Sequence, residues 1–442
     1  MANAIKHKNK RLSATIESVT LQGEGVTRVD GKVYFINGAL PGELIEFEVI
    51  KNRKRHGAGK LLSIVNSDRA SGRVEPDCQY FGICGGCSLR HYQRELQLKS
   101  KQQALTDAFT HIGNVAAESI IPAISGDWLH YRRKARLGIR FVEKKGGALV
   151  GFREKSSSYI TALNRCFTLT EPISDLLPAL TMLVNQLSIK RNLPQIEIAQ
   201  GDNQISLVFR HLQPLTNEDL VAIKQFSIDL NVQTYLQPKG LDSIRPCYPS
   251  QPQELYYMLD DYKLRFYFSA TDFVQVNAQA NQMLLGKAIE LLDPNPNDVI
   301  LDLYCGLGNF SLPIALHCKQ VFAVEGDLRM VNRAGHNAAY NKIQNVEFQM
   351  QDLSAEQADF SWLNREFDKV LLDPARSGAA LMCKKVATMK IPKIVYVSCN
   401  PATLARDAGI LVHSHGYNLK HAGIINMFPH TAHVESIALF ER

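Results

Sequence analysis

The segment Asp302–Phe310 has the sequence Asp-Leu-Tyr-Cys-Gly-Leu-Gly-Asn-Phe, and it is the stretch that most constrains the fold. The apolar run that leads into it, residues 298–304, predicts a buried β-strand. Gly306 and Gly308 then predict a tight turn into a helix, because glycine adopts the backbone conformations that such a turn needs. In doubly wound α/β sheets, ligands bind where such strands end. The segment therefore predicts both a sheet and the edge of that sheet at which a ligand binds.

Apolar strands and helices alternate on both sides of this turn. A helix is predicted at 279–292, and further strands are predicted at 320–325, 369–373 and 393–399. Such alternation predicts a parallel sheet that is covered on both faces. The last two strand-like runs, 419–427 and 433–440, have no helix between them, so they predict a hairpin that adds an antiparallel strand. Residues 271–442 are thus predicted to form a doubly wound α/β domain with a mostly parallel sheet.

Acidic residues follow several of these strands. Glu325 lies 23 residues after Asp302, where an acid at the end of the second strand accepts hydrogen bonds from ribose hydroxyls. Asp352 and Asp373 occupy comparable positions. A single glycine turn or acid is more often a plain turn or a helix cap, but the set together indicates an adenosine-containing cofactor. The turn lacks the third glycine of the dinucleotide fingerprint, which favours S-adenosylmethionine over NAD.

A cysteine ends the strand at 393–399, in Ser398-Cys399-Asn400-Pro401. Most free cysteines are inert packing residues, but a thiol at this edge can be a nucleophile if its thiolate is favoured. Its position favours the nucleophile. After Asp373 the chain continues Pro-Ala-Arg, without the aromatic residue that stacks the base in adenine-N6 or cytosine-N4 methylation. It also lacks the cysteine that RNA cytosine-C5 methyltransferases place there, so these targets are disfavoured.

Residues 11–66 are predicted to form five short strands with glycines at the bends, which suits a small, partly open β-barrel of the OB type. The loop Lys51–His56 is strongly basic and lies between the last two predicted strands. A flexible cationic loop at that place can follow a phosphate backbone, or it can be only a solubilising hairpin tip. We assign the barrel to residues 1–70.

Residues 71–270 are predicted to form a central α+β domain. A helix is predicted at 93–113, and its packing face carries Leu98, Leu105, Phe109 and Ile112. Strands return further along, including the run His130–Phe141, whose cations alternate with residues that can pack or stack. Such a strand suits an RNA-facing edge, and a plain solvated face is an equally good interpretation.

The chain has 442 residues, 45% of them hydrophobic, which excludes a wholly disordered protein. It has no signal-peptide-like start and no run of about 18 apolar residues, so we expect a soluble, cytoplasmic protein with no membrane partner.

The net charge is +7 and is unevenly distributed along the chain. Residues 1–70 carry 12 Lys+Arg against 7 Asp+Glu, 71–270 carry 23 against 19, and 271–442 carry 15 against 17. The first two segments would hold a polyanion, unless the imbalance is that of an ordinary solvated surface.

Three cysteines cluster in Cys78-Gln-Tyr-Phe-Gly-Ile-Cys84-Gly-Gly-Cys87, and Cys166 is a candidate fourth ligand. The two glycines let the chain wrap tightly around a metal, and disulfides are disfavoured in a reducing cytosol. Four thiolates suit either a [4Fe–4S] cluster or a structural zinc ion. The spacing leaves iron and zinc open.

Four motifs together resemble the RNA uracil-C5 methyltransferase family. They are the segments 302–310, Ser398–Pro401, Phe273-Val-Gln-Val-Asn277 and His433-Val-Glu-Ser436, and the resemblance covers most of the chain. It implies a class I, Rossmann-like methyltransferase domain in which Cys399 is the nucleophile and Glu435 is the base that removes a proton. It also implies contacts with S-adenosylmethionine by Gln275, Tyr304, Asn309, Glu325, Asp352 and Asp373. Tyr304 stands where Phe is usual, and Asp352 stands where Asn occurs in close relatives.

The cysteines and the barrel resemble one branch of that family. Its ribosomal-RNA branch carries an iron–sulfur cluster, which implies a [4Fe–4S] cluster on Cys78, Cys84, Cys87 and Cys166. A radical S-adenosylmethionine enzyme would use C-x3-C-x2-C and leave one iron open, so we expect a structural or RNA-positioning cluster. The segment Gly23–Glu43 resembles a TRAM domain, an RNA-binding barrel. The resemblance implies that a monomer methylates a flipped-out uridine of 23S ribosomal RNA; the alternatives are another ribosomal or transfer RNA uridine and a non-catalytic iron–sulfur RNA-binding protein.

Overall fold

The computed structural model describes residues 10–20, 22–66, 72–357 and 359–442. The chain divides into two compact units. The N-terminal unit runs to Ala104 and includes Glu154–Ser157 and Phe428–His433, and the C-terminal unit comprises Leu105–Arg153, Ser158–Met427 and Val434–Arg442. The three-domain division at residues 70 and 270 stays a prediction. The start of the chain, in which we found no signal-peptide pattern, lies largely outside the described residues.

The N-terminal unit contains a small barrel-like sheet. Its strands are β1 (Arg11–Thr15), β2 (Ser18–Val19), β3 (Glu24–Val29), β4 (Lys32–Asn37), β5 (Leu44–Asn52) and β6 (His56–Asn66). They pair in the order β1-β5-β6-β4-β3-β2, and β4 and β6 run parallel. Buried apolar side chains fill the interior, among them Ile36, Ile45, Phe47 and Val49. The OB-type barrel is confirmed.

The barrel has six strands where five were predicted, because the run at 15–19 is interrupted. Ile16 donates its N–H to Glu43 O at 2.9 Å, whereas Glu17 donates to Val26 O at 2.8 Å, so the chain changes neighbours at this point. The basic loop lies where predicted, at the exposed tip between β5 and β6.

The predicted helix at 93–113 is mostly confirmed. Helix α1 spans Arg94–Ala108 and continues into a π-helical turn, Phe109–Gly113. Leu105 and Phe109 are buried as expected, but Ile112 is 53% exposed, so its assignment to the packing face was wrong. The π-helical turn adds a residue to the helical period and rotates Ile112 away from the packed face. A short strand, β7 (Ser119–Ile120), follows.

A seven-stranded sheet forms the first part of the C-terminal unit. Its elements are β8 (Lys134–Val142), β9 (Gly147–Arg153), β10 (Ile160–Ala162), helix α2 (Glu171–Gln186), β11 (Gln195–Gln200), β12 (Ile205–Arg210), helix α3 (Asn217–Asp229), β13 (Gln233–Gln237) and β14 (Arg245–Tyr248). The strand order is β10-β9-β8-β11-β12-β13-β14. The strand predicted from His130 starts only at Lys134. His130 has a left-handed backbone with φ of 54°, which ends an extended run.

A two-stranded hairpin, β15 (Leu255–Leu259) and β16 (Leu264–Phe268), leads to a second large sheet. The elements of that sheet are α4 (Ala278–Leu292), β17 (Val299–Leu303), α5 (Ser311–Ala315), β18 (Gln320–Glu325), α6 (Leu328–Tyr340), β19 (Val346–Met350), β20 (Lys369–Leu372), α7 (Ala380–Thr388), β21 (Lys393–Ser398), α8 (Pro401–Gly409), β22 (Asn418–Ile425) and β23 (Glu435–Glu441). None of the helices in the described ranges is long and apolar enough to cross a membrane.

The second sheet has the order β19-β18-β17-β20-β21-β23-β22-β7. Strands β17 to β21 are parallel, and β23 is antiparallel to both β21 and β22. The predicted doubly wound sheet with an antiparallel last strand is therefore confirmed. Because the parallel strands all end at one edge, this edge collects the residues that follow them.

Candidate active site

The turn after β17 contains three residues in left-handed conformations. Tyr304, Gly306 and Gly308 have φ of 68°, 57° and 91°. Such values suit glycine but are uncommon for a residue as large as tyrosine, and strained backbone of this kind is concentrated at functional sites. The turn also contacts one of the predicted cofactor residues, since the Gly306 N–H donates to Glu325 Oε2 at 3.0 Å.

Glu325 is oriented by backbone groups at the end of β18. Its Oε1 accepts the N–H groups of Gly326 at 2.7 Å and Asp327 at 3.0 Å. A carboxylate oxygen accepts two hydrogen bonds, and Oε2 accepts only that of Gly306 among the described residues. Glu325 can therefore still receive a ribose hydroxyl while it holds the turn.

Asp302 lies below the turn and is fully buried. Its Oδ2 accepts the Ser311 hydroxyl at 2.5 Å, whereas Oδ1 accepts no hydrogen bond from the described residues. Burial, with a smaller contribution from the charge of Glu325, raises the pKa of Asp302 to about 7. The site therefore contains a buried acceptor that suits a positively charged or hydrogen-donating ligand.

Asp352 lies at the exposed carboxyl end of β19. Its Oδ1 accepts the hydroxyl of Ser354 at 2.6 Å and the N–H of Ser354 at 2.9 Å. These two hydrogen bonds hold the pKa of Asp352 below its ordinary value. The side chain is thus an ionised acceptor of fixed orientation at the same edge of the sheet as Glu325.

Gln275 and Asn309 occupy two further segments of this region. Gln275 is half-buried in the segment between β16 and α4. The next residue, Val276, accepts the N–H of Arg133 at its backbone oxygen at 2.9 Å. Asn277 then caps α4 by accepting the N–H of Ala280 at 3.1 Å. Asn309 follows the glycine turn, and its amide is hydrogen-bonded to Tyr257 and Asn281.

Cys399 and Glu435 are brought side by side by the register of the sheet. Strands β21 and β23 are antiparallel, with Ser398 opposite Ser436. Cys399 directly follows β21 and Glu435 begins β23, and the charge of Glu435 acts on the Cys399 thiol. Cys399 is half-buried, and Glu435 is 3% exposed at the start of β23. The predicted nucleophile and base therefore meet, although they come from separate parts of the sequence.

Burial and neighbouring negative charges raise the pKa of both groups. Burial, then the charges of Glu435 and Asp373, raises the pKa of Cys399, while the Arg376 guanidinium acts in the opposite direction. Burial and the charge of Asp373 raise the pKa of Glu435 well above its ordinary value. A carboxylate with a raised pKa is a stronger base, which suits proton removal from carbon.

Asp373 shares this buried acidic environment at the end of β20. Burial, followed by the charges of Asp302 and Glu325, raises the pKa of Asp373 to about 7. Four acids therefore interact along this edge: Asp302, Glu325, Asp373 and Glu435. Such a cluster favours a ligand that carries positive charge, because the charge relieves the repulsion between the acids.

The loop after Asp373 is fastened to the helix that follows Cys399. Arg376 O accepts the side-chain N–H of Asn400 at 3.0 Å and the hydroxyl of Thr403 at 3.3 Å. The buried carboxylate of Asp407 accepts the N–H of Ala379 and the hydroxyl of Tyr396, each at 2.7 Å. These bonds fix the loop that carries Arg376 relative to Cys399.

The three clustered cysteines lie in one loop of the N-terminal unit. Cys84 N–H donates to Tyr80 O at 2.9 Å, and Lys155 N–H donates to Ile83 O at 2.8 Å. Two sulfur atoms also accept hydrogen bonds: Cys84 Sγ from Gly86 N–H at 3.4 Å and Cys87 Sγ from Arg90 Nη2 at 3.9 Å. Donors aimed at sulfur stabilise a thiolate, so this loop suits thiolate chemistry.

Cys166 lies in the C-terminal unit, between β10 and α2, where its N–H donates to the Ser174 hydroxyl at 2.9 Å. All four candidate cysteines are half-buried. Within the part of the chain that the structure describes, no three or more His, Cys, Asp or Glu side chains are arranged as a preformed metal site.

Comparison with known proteins identifies the family. The profile of the tRNA (uracil-5-)-methyltransferase family matches residues 93–442, and that of the TRAM domain matches residues 6–62. This chain belongs to the tRNA (uracil-5-)-methyltransferase family. Among relatives in this family, a 23S rRNA (uracil(1939)-C(5))-methyltransferase RlmD of Legionella pneumophila (strain Paris) is 45% identical, over 97% of this chain and 97% of its own. The RlmD of Methylococcus capsulatus is 44% identical, over 99% of this chain and 100% of its own.

A solved structure of a uracil methyltransferase has the same fold. It is a Pyrococcus abyssi tRNA (uracil-54, C5)-methyltransferase in complex with S-adenosyl-L-homocysteine. Its TM-score is 0.74 at 22% identity, covering 97% of this chain and 100% of that chain. This likeness confirms the fold of the methyltransferase family for our chain.

Several residues of the site were missed in the sequence. The sequence predicted no role for Arg376, which stands in the segment where an aromatic residue is absent. Its charge nevertheless opposes the raised pKa of Cys399. Tyr257, Asn281 and Asp407 lie outside the motifs, and only the sheet and hairpin contacts reveal them. The available signal for Arg376 was its place three residues after Asp373, the acid that follows β20.

Proposed function

We propose that this chain transfers a methyl group from S-adenosylmethionine to C5 of a uridine in 23S ribosomal RNA, of the uracil-1939 type named in its relatives, to form 5-methyluridine. The observation that carries the proposal is the proximity of Cys399 and Glu435 at the adjoining ends of β21 and β23. A nucleophile beside a strong base is what methylation of uracil C5 requires.

The chemistry assigns a role to each of these residues. Uracil C5 is too weak a nucleophile to be methylated unaided, so the Cys399 thiolate adds to C6 and makes C5 electron-rich. Bound S-adenosylmethionine supplies the methyl group. Glu435 then removes the proton from C5, and the electron pair of that C–H bond restores the C5–C6 double bond as the Cys399 sulfur leaves. Arg376 favours the thiolate at the beginning and end of this cycle.

The residues at the sheet edge fit the methyl donor. Gln275, Tyr304, Asn309, Glu325, Asp352 and Asp373 would hold S-adenosylmethionine. The buried, unpartnered Oδ1 of Asp302 and the acids around it suit a ligand with a sulfonium and an ammonium group. Glu325 keeps acceptor capacity for the ribose while it holds Gly306.

The four cysteines Cys78, Cys84, Cys87 and Cys166 are proposed to hold a [4Fe–4S] cluster with a structural or RNA-positioning role. Support comes from the donor set itself, four half-buried cysteines, and from the N–H groups aimed at two of the sulfur atoms. Hydrogen bonds to the sulfur atoms are one way in which a protein stabilises and tunes such a cluster.

Metal analysis tests this assignment. Anaerobically purified protein should be brown, absorb near the blue edge of the visible spectrum and contain about four iron and four sulfide ions per chain. Cys78→Ser should lose most of the iron, whereas Cys247→Ser, a cysteine outside the proposed ligands, should keep it. A colourless wild-type protein with one zinc ion would refute the cluster.

Ribosomal RNA is the proposed partner. The TRAM domain and the exposed basic tip Arg53–Arg55 offer cations for the phosphate backbone. C5 and C6 of a stacked uracil are out of reach of the half-buried Cys399 thiol, so the target nucleotide must be flipped out of its stack. We further propose that the protein works as a monomer in the cytoplasm.

Mapping of 5-methyluridine tests the proposed function. Ribosomal and transfer RNA from cells with and without the gene should differ at one 23S uridine, which loses its methyl group in the deletion and regains it with the wild-type gene. A plasmid carrying the Cys399→Ala variant should not restore it. Loss of a transfer RNA methylation instead would assign the enzyme to another RNA, and no change in any uridine would favour a non-catalytic RNA-binding role.

A further inference from the structure

Tyr257 is connected to the glycine turn through side-chain hydrogen bonds. Its hydroxyl donates to Oδ1 of Asn309 at 2.8 Å. Asn281 Nδ2 donates to the same Oδ1 at 3.0 Å, and Asn309 Nδ2 donates back to Asn281 Oδ1 at 2.9 Å. Tyr257 lies on β15, outside the eight-stranded sheet. Asn309 lies after β17, at the edge where the parallel strands of that sheet end. A residue of the hairpin is thus hydrogen-bonded to the side chain of a residue in the turn.

These bonds leave a single group of the Asn309 amide for a ligand. The oxygen Oδ1 has two acceptor sites, and both are taken. The nitrogen Nδ2 has two hydrogens and uses one of them. Asn309 is half-buried, so its second N–H group remains within reach of a molecule at the sheet edge.

We propose that Tyr257 is a positioning residue for the methyl donor: its hydroxyl orients the Asn309 amide so that an N–H group, and not the oxygen, faces the donor. This inference rests on the proposed role of Asn309 in cofactor binding. The Asn281–Asn309 pair alone does not select an orientation, because the two amides pair equally well after both are flipped. After such a flip the Tyr257 hydroxyl would face Nδ2, and its hydrogen would lack an acceptor among the described residues.

The surroundings of Tyr257 keep its hydroxyl in place. The side chain is buried, and burial raises the pKa of Tyr257, so the hydroxyl stays a donor. Its ring stacks on Phe266 of β16, with centroids 5.2 Å apart and 6° between the planes. Few other orientations are open to a ring packed in this way.

The hairpin is itself tied to the same turn. Asn337 of α6 is fully buried, accepts the N–H of Tyr267 at 2.8 Å and donates to Leu307 O at 3.2 Å. One side chain therefore holds both β16 and the glycine turn. The hydrogen bonds of Asn337 hold the hairpin next to the turn. The Tyr257 hydroxyl therefore stays within hydrogen-bond distance of the Asn309 amide and can orient it.

The test is the affinity of the full-length protein for S-adenosylhomocysteine, measured by calorimetry without RNA. Tyr257→Phe keeps the stacked ring and removes only the hydroxyl, so the Kd should rise about fivefold, the effect of losing one neutral hydrogen bond. The matched control is Tyr256→Phe. Its ring lies on the hairpin's other face, 4.3 Å from the Arg265 guanidinium, and its Kd should equal that of the wild type.

A double variant separates positioning from general support of the fold. In an Asn309→Ala background, Tyr257→Phe should cause no further loss of affinity, because the hydroxyl acts through the missing amide. An unchanged Kd in Tyr257→Phe, or full additivity in the double variant, would overturn the inference. Failure of the wild-type protein to bind S-adenosylhomocysteine would instead overturn the proposed function, and with it the premise of this inference.

Discussion

Replacing Cys399 with alanine is expected to lower the rate of methyl transfer by at least about a thousandfold while leaving RNA binding unchanged. Without the thiol, no covalent bond to C6 can form, and C5 stays too electron-poor to accept a methyl group. The side chain is only half-buried, so its loss leaves no large cavity in the core. Transfer of radioactive methyl groups to a 23S RNA fragment, together with a gel-shift assay, measures the two properties separately.

The control for this variant is Cys247→Ala, a half-buried cysteine on β14 that should leave turnover intact. The pH dependence of alkylation gives a further readout on the wild type. Burial and the neighbouring acids raise the pKa of Cys399. Its alkylation rate should therefore keep rising above about pH 8.5, the ordinary pKa of a cysteine thiol. Substantial turnover by Cys399→Ala would contradict the covalent mechanism.

Replacing Glu435 with glutamine is expected to trap the covalent RNA–protein adduct and to lower turnover by about 10²- to 10⁴-fold, the usual contribution of a general base. Glutamine has nearly the same shape but cannot remove the C5 proton, so the sulfur cannot leave. The substitution also removes a negative charge that raises the pKa of Cys399. Formation of the thiolate, and hence attack on C6, should therefore become easier while release becomes slower.

The adduct should be visible as a heat-stable band shift on a denaturing gel after incubation with RNA and S-adenosylmethionine. Glu441→Gln is a matched control, because Glu441 lies at the other end of β23 and pairs with Lys393 at 3.4 Å. It should turn over normally and give no band. If Glu435→Gln also gives none, another group must be the base.

Most of the second sheet could be predicted because its central strands are buried on both faces. Residues 320–325 form a strand over the whole predicted range, and Val370, Leu371 and Leu372 are fully buried, so an apolar run alone marks each strand. Strand β19 was not predicted. It is a half-buried edge strand in which Glu347 and Gln349 interrupt the apolar pattern.

The site was predictable where a residue directly follows a strand, and unpredictable where it depends on pairing. Cys399 is found from its position after an apolar run, but its partnership with Glu435 depends on the register of β21 and β23. No local pattern encodes a register between strands that are distant in sequence. The segment Phe428–His433 is a similar case, because it belongs to the N-terminal unit although both flanking strands belong to the other.

The position of β23 between β21 and β22 also determines when the sheet can be completed during synthesis of the chain. The ribosome makes β22 first, yet β22 reaches β21 only through β23, so the sheet stays open until residues 435–441 have emerged. Cys399 is translated 36 residues before Glu435. A nascent chain therefore contains the proposed nucleophile before the proposed base. Residues on either side of the site therefore come together only when the last strand to be synthesised has inserted between its two neighbours.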